Sequence, residues 1–296
     1  MAELHPVGIA GLGLLGSAIG HALTLAGSAP VGWDPDPERM SKWLDCGMAC
    51  AADEASLVRA CGAVIWAALT TGQVMASIAR VQTAIRPGLL VVDVTTGDPK
   101  GKRALARRLS AARAHYVDAA VCGSSREASS GTSLLLLSGA DADVAYAERL
   151  LAPIARSCYR MGPIGAAASM KLVVNMALGL ERAVLAETLT FGRSLGLAPD
   201  LVLGVLRDSP AASRVMDTKG ARMVERRFDP EARLSQHLKD VECIIAAAKR
   251  AGAPVPLTRR HRALLAHVVA LGLGDLDNSA IIEAYGRQSS RTASSE

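Results

Sequence analysis

The sequence predicts an α/β domain with a mostly parallel, doubly wound sheet, followed by an all-α C-terminal domain joined to it by a long interdomain helix. Three observations carry this prediction. Short apolar runs alternate with amphipathic stretches in the first half of the chain, as strands and crossover helices do in a parallel sheet. After Gly162 the strand patterns stop and helical periodicity takes over. The length of 296 residues accommodates two domains, each with its own core.

Each element is assigned from its hydrophobic pattern. Amphipathic stretches at 14–26, 72–85 and 102–112 predict crossover helices. The long helix is predicted from about 166 to 195, with Gly196 as its stop. The candidate strands are the apolar runs at 7–10, 30–34, 63–69, 89–95, 116–121, 134–138 and 158–161.

The domain limits follow from the same patterns. We expect the α/β domain over residues 1–163 and the all-helical domain over residues 164–286. Residues 287–296 are expected to form a disordered tail, because the sequence from Gly286 onward, GRQSSRTASSE, has almost no apolar residues to bury.

Residue patterns argue against a membrane span and against a metal site. The charge-poor run over residues 6–29 is long enough to imitate a membrane span, but its glycines would weaken an inserting helix and no basic cluster precedes it. We therefore expect a cytoplasmic protein with no membrane partner. The six cysteines form no CxxC pair and the six histidines are scattered, so no metal site is expected.

The formal net charge of +5 comes partly from local basic clusters. We interpret these clusters as solvated helix faces, because no aromatic residues are interleaved with them as stacking platforms for bases. No nucleic-acid partner is therefore expected, although a mild positive field would favour an anionic metabolite. The first cluster contains Lys100, Lys102, Arg103, Arg107 and Arg108.

A glycine loop follows the first predicted strand and opens a helix. Gly11 permits the tight turn, Gly13 lets the backbone approach a pyrophosphate, and Gly16 allows close packing of helix on strand. The second strand ends at Asp34, whose carboxylate can accept hydrogen bonds from ribose hydroxyls and repel a 2′-phosphate. The sequence therefore predicts a Rossmann domain that binds NAD, while Arg39 leaves NADP open. The alternative is a glycine-rich turn with a helix-capping aspartate.

A second motif, GPIGAAASMKLVVN, runs from Gly162 to Asn175. Lys171 and Asn175 are four residues apart, so on a helix their side chains stack on one face, about a turn from each other. An ammonium and a carboxamide on an otherwise apolar surface indicate a site. The alternative is that Lys171 extends to water while Asn175 bonds its neighbours.

Ordered motifs along nearly the whole chain resemble those of the β-hydroxyacid dehydrogenase family, which contains 3-hydroxyisobutyrate dehydrogenase and tartronate semialdehyde reductase. Three positions depart from the family pattern: Cys122 replaces a serine, Ser124 replaces a glycine, and Val174 replaces the first asparagine of a pair. The matching segments are GLGLLG at 11–16, VDVTT at 92–96, DAAVCGS at 118–124 with GT at 131–132, the segment 162–175, LKD at 238–240 and DNSA at 277–280.

The resemblance implies an oxidoreductase that transfers a hydride between a nicotinamide cofactor and a small anionic β-hydroxyacid or its semialdehyde. Lys171 would exchange the alcohol proton as general acid and base, and Asn175 would hydrogen-bond the same oxygen or a neighbouring hydroxyl. Cys122, Gly123 and Ser124 would hold the substrate carboxylate with backbone amides.

The resemblance also assigns Thr96 and Lys239 to the cofactor. The alternative for Lys239 is a solvated helix lysine. Leu69 and Thr70 end a strand at the sheet edge where open parallel sheets bind ligands. The other residues expected at the cofactor are Gly11, Leu12, Gly13, Leu14, Leu15, Gly16 and Asp34.

Two other functions remain open for this architecture. One is an imine reductase, which would normally lack lysine at the position of Lys171. The other is a non-catalytic dinucleotide-binding scaffold, as in degenerate relatives that have lost that lysine. The presence of Lys171 favours alcohol chemistry over both. Relatives associate through apolar faces of the helical domain, so a homodimer or homotetramer is expected.

Overall fold

The computed structural model describes residues 6–285. These residues divide into two compact units, with the boundary between Lys171 and Leu172. The tail expected to be disordered over 287–296 lies outside the described residues.

The first unit is built on one eight-stranded sheet. Its strands are β1 (Val7–Ala10), β2 (Val31–Trp33), β3 (Ala49–Cys50), β4 (Ala63–Trp66), β5 (Leu90–Asp93), β6 (His115–Cys122), β7 (Ser133–Ser138) and β8 (Ala155–Arg160). They lie in the order β3-β2-β1-β4-β5-β6-β7-β8, and neighbours pair parallel except for the antiparallel pair of β6 and β7. The mostly parallel sheet is confirmed. The sequence pattern does not predict β3, because two residues are too few to show an alternation.

Helices cover both faces of this sheet, which makes it doubly wound. They are α1 (Leu14–Leu25), α2 (Pro37–Asp45), α3 (Glu54–Ala60), α4 (Thr71–Arg80), α5 (Pro99–Ala111), α6 (Ser125–Ser129) and α7 (Asp141–Leu151). Successive residues of a strand point to opposite faces. Ile65 therefore packs in one core with residues of α1 and α7, and Val64 packs in another with residues of α3, α4 and α5.

The long helix predicted over 166–195 is present as α8 (Ala166–Ser194). It begins in the first unit and continues into the second. The chain leaves it before Gly196, whose φ of +79° lies in the left-handed region that glycine adopts without strain.

The described part of the second unit is all helical. After α8 it contains α9 (Pro199–Asp208), α10 (Ala221–Glu225), α11 (Leu234–Ala251) and α12 (Pro256–Val268), with short 3₁₀ and π-helical turns. Its core includes Leu185, Leu203, Val241 and Leu265.

A buried ion pair joins two turns of the second unit. Lys219 Nζ lies 2.9 Å from Asp277 Oδ1, and the same carboxylate accepts hydrogen bonds from the backbone N–H groups of Glu231, Ala232 and Ser279. Burial works against the charged form, but Lys219 and the backbone and hydroxyl donors of Ser279 hold the pKa of Asp277 below its usual range. The pair is a structural feature of this unit.

One residue of the first basic cluster contradicts the interpretation as a solvated face. Lys102 is 0% exposed, whereas its four cluster neighbours are exposed. Its position on α5 explains this difference, since Lys102, Leu105 and Leu109 are spaced three and seven residues apart on the buried stripe of the helix. The solvated interpretation is therefore wrong for Lys102.

Across residues 6–285, no helix combines the length and the apolar composition that crossing a membrane requires.

Candidate functional site

The glycine loop after β1 is tightly folded and open in front of Gly13. A Cβ on Gly11 would lie 2.4 Å from the carbonyl oxygen of Ala67, and one on Gly16 would lie 1.8 Å from the carbonyl oxygen of Gly11. A Cβ on Gly13 would meet only Arg39 Nη1, at 3.8 Å. Gly13 caps the N-terminus of α1 without a side-chain hydrogen bond. The free amides and the open space fit the pyrophosphate of a dinucleotide.

Asp34 holds the loop in this shape. It is 4% exposed, and its Oδ2 accepts a hydrogen bond from the Leu12 N–H at 2.7 Å. Its Oδ1 accepts from the Asp36 N–H at 2.9 Å, and Arg39 Nη1 lies 3.3 Å from Oδ2. A carboxylate has about four acceptor positions. Binding to a ribose hydroxyl therefore stays a prediction, and any ribose would share Asp34 with these donors.

The other cofactor candidates of the first unit lie where β4 and β5 end. In the sheet, β4 is next to β1 and β5 is next to β4. Leu69 is 54% exposed. The hydroxyl of Thr70 caps α4 by accepting from the Gln73 N–H at 3.1 Å, so it has a local structural use. Thr95 Oγ1 accepts from the Ala68 N–H at 3.1 Å and ties the two strand ends together, with half-buried Thr96 next in the chain.

Lys171 and Cys122 are brought together by α8 and β6. Lys171 is 7% exposed, so it does not extend into bulk water as the alternative interpretation requires. Its side chain hydrogen-bonds the Cys122 thiol at the end of β6. Burial raises the pKa of that thiol, and Lys171 partly opposes the rise. Cys122 is therefore a neutral partner for the lysine at physiological pH.

The loop after Cys122 is already engaged by a carboxylate of this chain. The Ser124 N–H donates to Glu127 Oε2 at 2.8 Å, and the Glu127 N–H donates to Ser124 Oγ at 3.2 Å. The two residues thus form a capping box at the start of α6. Gly123 has a φ of +154°, and a Cβ there would lie 2.8 Å from Ser133 Oγ. Within the described chain, the amide of Ser124 is therefore not free for a ligand unless Glu127 moves.

Asn175 belongs to a polar network of the second unit. It is 7% exposed, and its Nδ2 donates to Asp240 Oδ2 on α11 at 3.0 Å. Lys239 Nζ lies 2.7 Å from the other oxygen of Asp240. This network fixes the carboxamide, and Lys239 is held in an ion pair rather than standing alone in solvent.

Sequence reasoning missed two groups of polar residues. One is the buried contact of Lys102 with Asp93 and Asp118, for which the buried stripe of α5 is the available signal. The other is the pairing of Ser124 with Glu127, which the S-x-x-E spacing of a capping box indicates. In the described residues, no three histidine, cysteine or acidic side chains are grouped so that they could hold a metal ion.

Family comparisons match both halves of the chain. Residues 6–162 match the family described as the NAD binding domain of 6-phosphogluconate dehydrogenase. Residues 165–285 match the one described as NAD-binding of NADP-dependent 3-hydroxyisobutyrate dehydrogenase. The fold and the glycine loop thus place the chain in a class of NAD(P)-binding oxidoreductase folds, in which a Rossmann domain is followed by a helical domain. Within this class, the chain belongs to the β-hydroxyacid dehydrogenase family.

Individual relatives cover nearly all of the chain at low identity. L-threonate dehydrogenase of Cupriavidus necator is 27% identical over 94% of this chain and 95% of its own. 2-(Hydroxymethyl)glutarate dehydrogenase of Eubacterium barkeri is 25% identical over 94% of each chain. The human cytokine-like nuclear factor N-PAC is 26% identical, and the match spans 94% of this chain but 51% of that longer protein.

Among solved structures, 3-hydroxyisobutyrate dehydrogenase of Salmonella typhimurium has the same fold. The TM-score is 0.85 at 23% identity, over 94% of this chain and 98% of that one.

Proposed function

We propose that the protein transfers a hydride between a nicotinamide dinucleotide and a short β-hydroxyacid or its semialdehyde, with Lys171 exchanging the alcohol proton. The observation that carries the proposal is the burial of Lys171, 7% exposed and in contact with Cys122, in a chain of this family. The partner of this buried amine is a neutral thiol, which a reacting oxygen can replace.

The chain's part in the reaction is proton transfer and positioning. A bound nicotinamide supplies the hydride acceptor or donor. In oxidation the neutral amine of Lys171 takes the hydroxyl proton as the carbon loses its hydride. In reduction the Lys171 ammonium donates a hydrogen bond to the carbonyl oxygen and then gives it the proton. Asn175, oriented by Asp240, offers its carbonyl oxygen to a substrate hydroxyl.

For the cofactor we propose the glycine loop, Leu69, Thr70, Thr96 and Lys239 as the binding residues. The open space before Gly13 supports the loop's role. Asp34 favours NAD because a carboxylate repels a 2′-phosphate. The contact of Arg39 with Asp34 partly offsets that negative charge, so NADP binding stays open.

For the substrate we propose a small anionic hydroxyacid whose carboxylate lies at the loop of Cys122, Gly123 and Ser124. Two relatives whose names specify small hydroxyacids, L-threonate and 2-(hydroxymethyl)glutarate, support this class. The capping box adds a condition, since a carboxylate that uses the Ser124 amide must displace Glu127.

The second unit is the proposed surface for association into a homodimer or homotetramer. Several large apolar side chains of this unit are exposed, which is unusual for a surface in water. They are Val184, Phe191, Leu195, Leu201 and Val205. Light scattering on the purified protein tests this proposal, and a monomer at micromolar concentration would contradict it.

A substrate screen tests the proposed reaction. Small hydroxyacids are offered with NAD and with NADP, semialdehydes and cyclic imines are offered with the reduced cofactors, and nicotinamide absorbance is followed. We expect turnover on at least one hydroxyacid or semialdehyde. Turnover on cyclic imines alone would identify an imine reductase, and tight dinucleotide binding without any turnover would indicate a scaffold. Either result would overturn the proposal.

A further inference from the structure

A buried cluster of three ionisable side chains lies where β5 and β6 run side by side. Asp93, the last residue of β5, pairs in register with Asp118 on β6. Lys102 Nζ lies 2.8 Å from Asp93 Oδ2 and 3.5 Å from Asp118 Oδ1. All three side chains are at most 1% exposed. Apolar residues of similar volume often replace such a cluster without loss of stability, so the cluster points to a role beyond stability.

Asp118 holds the start of α8. Its Oδ2 accepts hydrogen bonds from the Ala168 N–H at 3.0 Å and from the Ser138 hydroxyl at 3.3 Å. Ser138 Oγ in turn accepts from the Ala167 N–H at 3.4 Å. First-turn amides have no partner within their own helix, and an ionised carboxylate is favoured there. Asp118 therefore caps α8 although it lies 50 residues earlier in the chain.

Lys171 follows this capped turn directly. It lies three residues after Ala168, and helical side chains lean towards the N-terminus, so Lys171 lies over the turn that Asp118 holds. Cys122, its partner, lies four residues after Asp118 on β6 and therefore on the same face of that strand. Strand β6 thus contacts α8 twice, through Asp118 at the capped turn and through Cys122 at the lysine.

Asp93 connects the cluster to the other half of the proposed reaction. Its Oδ1 accepts from the Thr95 N–H at 2.9 Å, and its Oδ2 accepts from the Tyr116 hydroxyl at 2.8 Å. Thr95 begins the turn that contains Thr96, which the proposed function assigns to the cofactor. Lys102 therefore lies between a carboxylate that holds the cofactor turn and a carboxylate that holds the helix of Lys171.

We propose that Lys102 is a positioning residue for this reaction: its ammonium keeps Asp118 ionised, and ionised Asp118 fixes the first turn of α8 and thereby places Lys171. The proposal rests on the proposed function of Lys171 as the proton-exchanging group.

The groups that face Asp118 determine its ionisation. They are Lys102 from α5, Asp93 from β5 and Tyr116 from its own strand, with the Ser138 hydroxyl and the amides of α8 as neutral donors. Burial raises the pKa of Asp118, Lys102 opposes the rise, and Asp93 adds to it. Removal of the Lys102 charge therefore makes Asp118 take up a proton at a higher pH.

The test compares K102M with K219M. Lys219 is the matched control, because it is 7% exposed, pairs with Asp277 at 2.9 Å and belongs to the second unit. For K102M we expect kcat to fall by about 10- to 100-fold. The KM for the cofactor should stay within about two-fold. The acid limb of the kcat–pH profile should move up by about 1–3 pH units.

Amide hydrogen exchange gives a readout that needs no turnover. Exchange at Ala167 and Ala168 should become faster in K102M and stay unchanged in K219M, because only the first variant affects the cap of α8. If the wild type turns over no hydroxyacid, the proposed function fails, and the exchange comparison alone decides the positioning claim.

Two charge-removing variants complete the design. In K102M/D118N, the asparagine can still accept from the Ala168 N–H without a charge that needs Lys102, so part of the lost kcat should return. D118N alone should remove the acid limb of the kcat–pH profile while the melting temperature changes little. If K102M does not fold, D118N takes its place as the test variant. One result that overturns the proposal is a K102M protein whose melting temperature falls as that of K219M does, but whose kcat, acid limb and exchange rates match the wild type. The other is a D118N protein that keeps the acid limb.

Discussion

The amine of Lys171 hydrogen-bonds the thiol of Cys122, so the end of β6 and the first turns of α8 meet at a lysine–cysteine contact. Burial raises the pKa of this thiol, with Lys171 opposing, which leaves a protonated and weakly hydrogen-bonding group next to the amine. Under the proposed function, a substrate oxygen would compete with this weak partner for Lys171.

Replacement of that thiol by a hydroxyl should strengthen substrate binding. In C122S the serine offers a substrate carboxylate a better donor, worth about 1 kcal/mol, so the KM for the hydroxyacid should fall by about five-fold. The kcat should fall by less than about three-fold, because the serine hydroxyl is a stronger partner for Lys171 than the thiol but leaves the amine in place. Steady-state kinetics at saturating cofactor measures both. C158S, at another half-buried cysteine in the same unit, is the control. An unchanged or higher KM in C122S would contradict a carboxylate at this loop.

Glu127 should weaken binding of an anionic substrate. E127Q keeps the capping geometry at Ser124 but removes a negative charge from the loop, so the KM for the hydroxyacid should fall by roughly five-fold with little change in melting temperature. E148Q removes a carboxylate elsewhere in the same unit and should leave the KM unchanged. If both variants behave alike, Glu127 does not compete with the substrate.

Arg39 should discriminate between the two nicotinamide dinucleotides. Its guanidinium lies beside Gly13 and 3.3 Å from Asp34, where it can turn to a 2′-phosphate. In R39Q the Kd for NADPH should rise by about ten-fold, while the Kd for NADH stays within about two-fold. Fluorescence titration measures both constants. K42Q, which removes an exposed charge from the same helix, should change neither. An equal change for the two nucleotides in R39Q would refute the discriminating role.

Acid should destabilise the protein through His261, which is 3% exposed. Burial and the nearby charge of Arg182 lower the pKa of His261 from its ordinary value of 6.5 to about 4. Between these two pKa values the unfolded chain binds a proton at this histidine that the folded protein does not bind. The free energy of unfolding therefore falls as the pH drops from 6.5 towards 4. Integration gives a loss of about 2 kcal/mol between about pH 7 and about pH 5.

Urea titrations at those two pH values check this loss in the free energy of unfolding. H261Q should be less sensitive to pH by that amount, since glutamine does not titrate. H267Q changes an exposed histidine on the same helix and should keep the wild-type pH dependence. An H261Q protein that loses as much stability as the wild type would show that His261 is not the responsible group.

The parts of the fold and site that the sequence predicts are those encoded by short-range spacing. The glycine loop, the strand predicted at 30–34 and the long helix with Lys171 and Asn175 each depend on residues that lie close together in the sequence. The predicted length of β4 is too great, because the strand predicted over 63–69 ends at Trp66. Beyond it the chain leaves the sheet to form the capping box of Thr70.

The partners of the site residues depend on contacts that spacing does not encode. Lys102 contacts Asp118 from a different element of the fold. In the sequence a lysine among basic residues looks solvated, unless its position on the buried face of the helix is taken into account. Asn175 and Asp240 are 65 residues apart, so their hydrogen bond has no local signal. Glu127 is different, because it lies three residues after Ser124, which is the spacing of a capping box. This spacing is visible in the sequence and indicates that the Ser124 amide has a local partner.

The most direct test of the account is turnover by K171M, measured with the hydroxyacid that the wild type uses and accompanied by NADH titration. The account predicts that kcat falls by about 10²- to 10⁴-fold, because the proton-exchanging group is gone. The Kd for NADH should stay within about two-fold, since the proposed cofactor residues are untouched. Turnover within about three-fold of the wild type would contradict the assignment of the proton to Lys171.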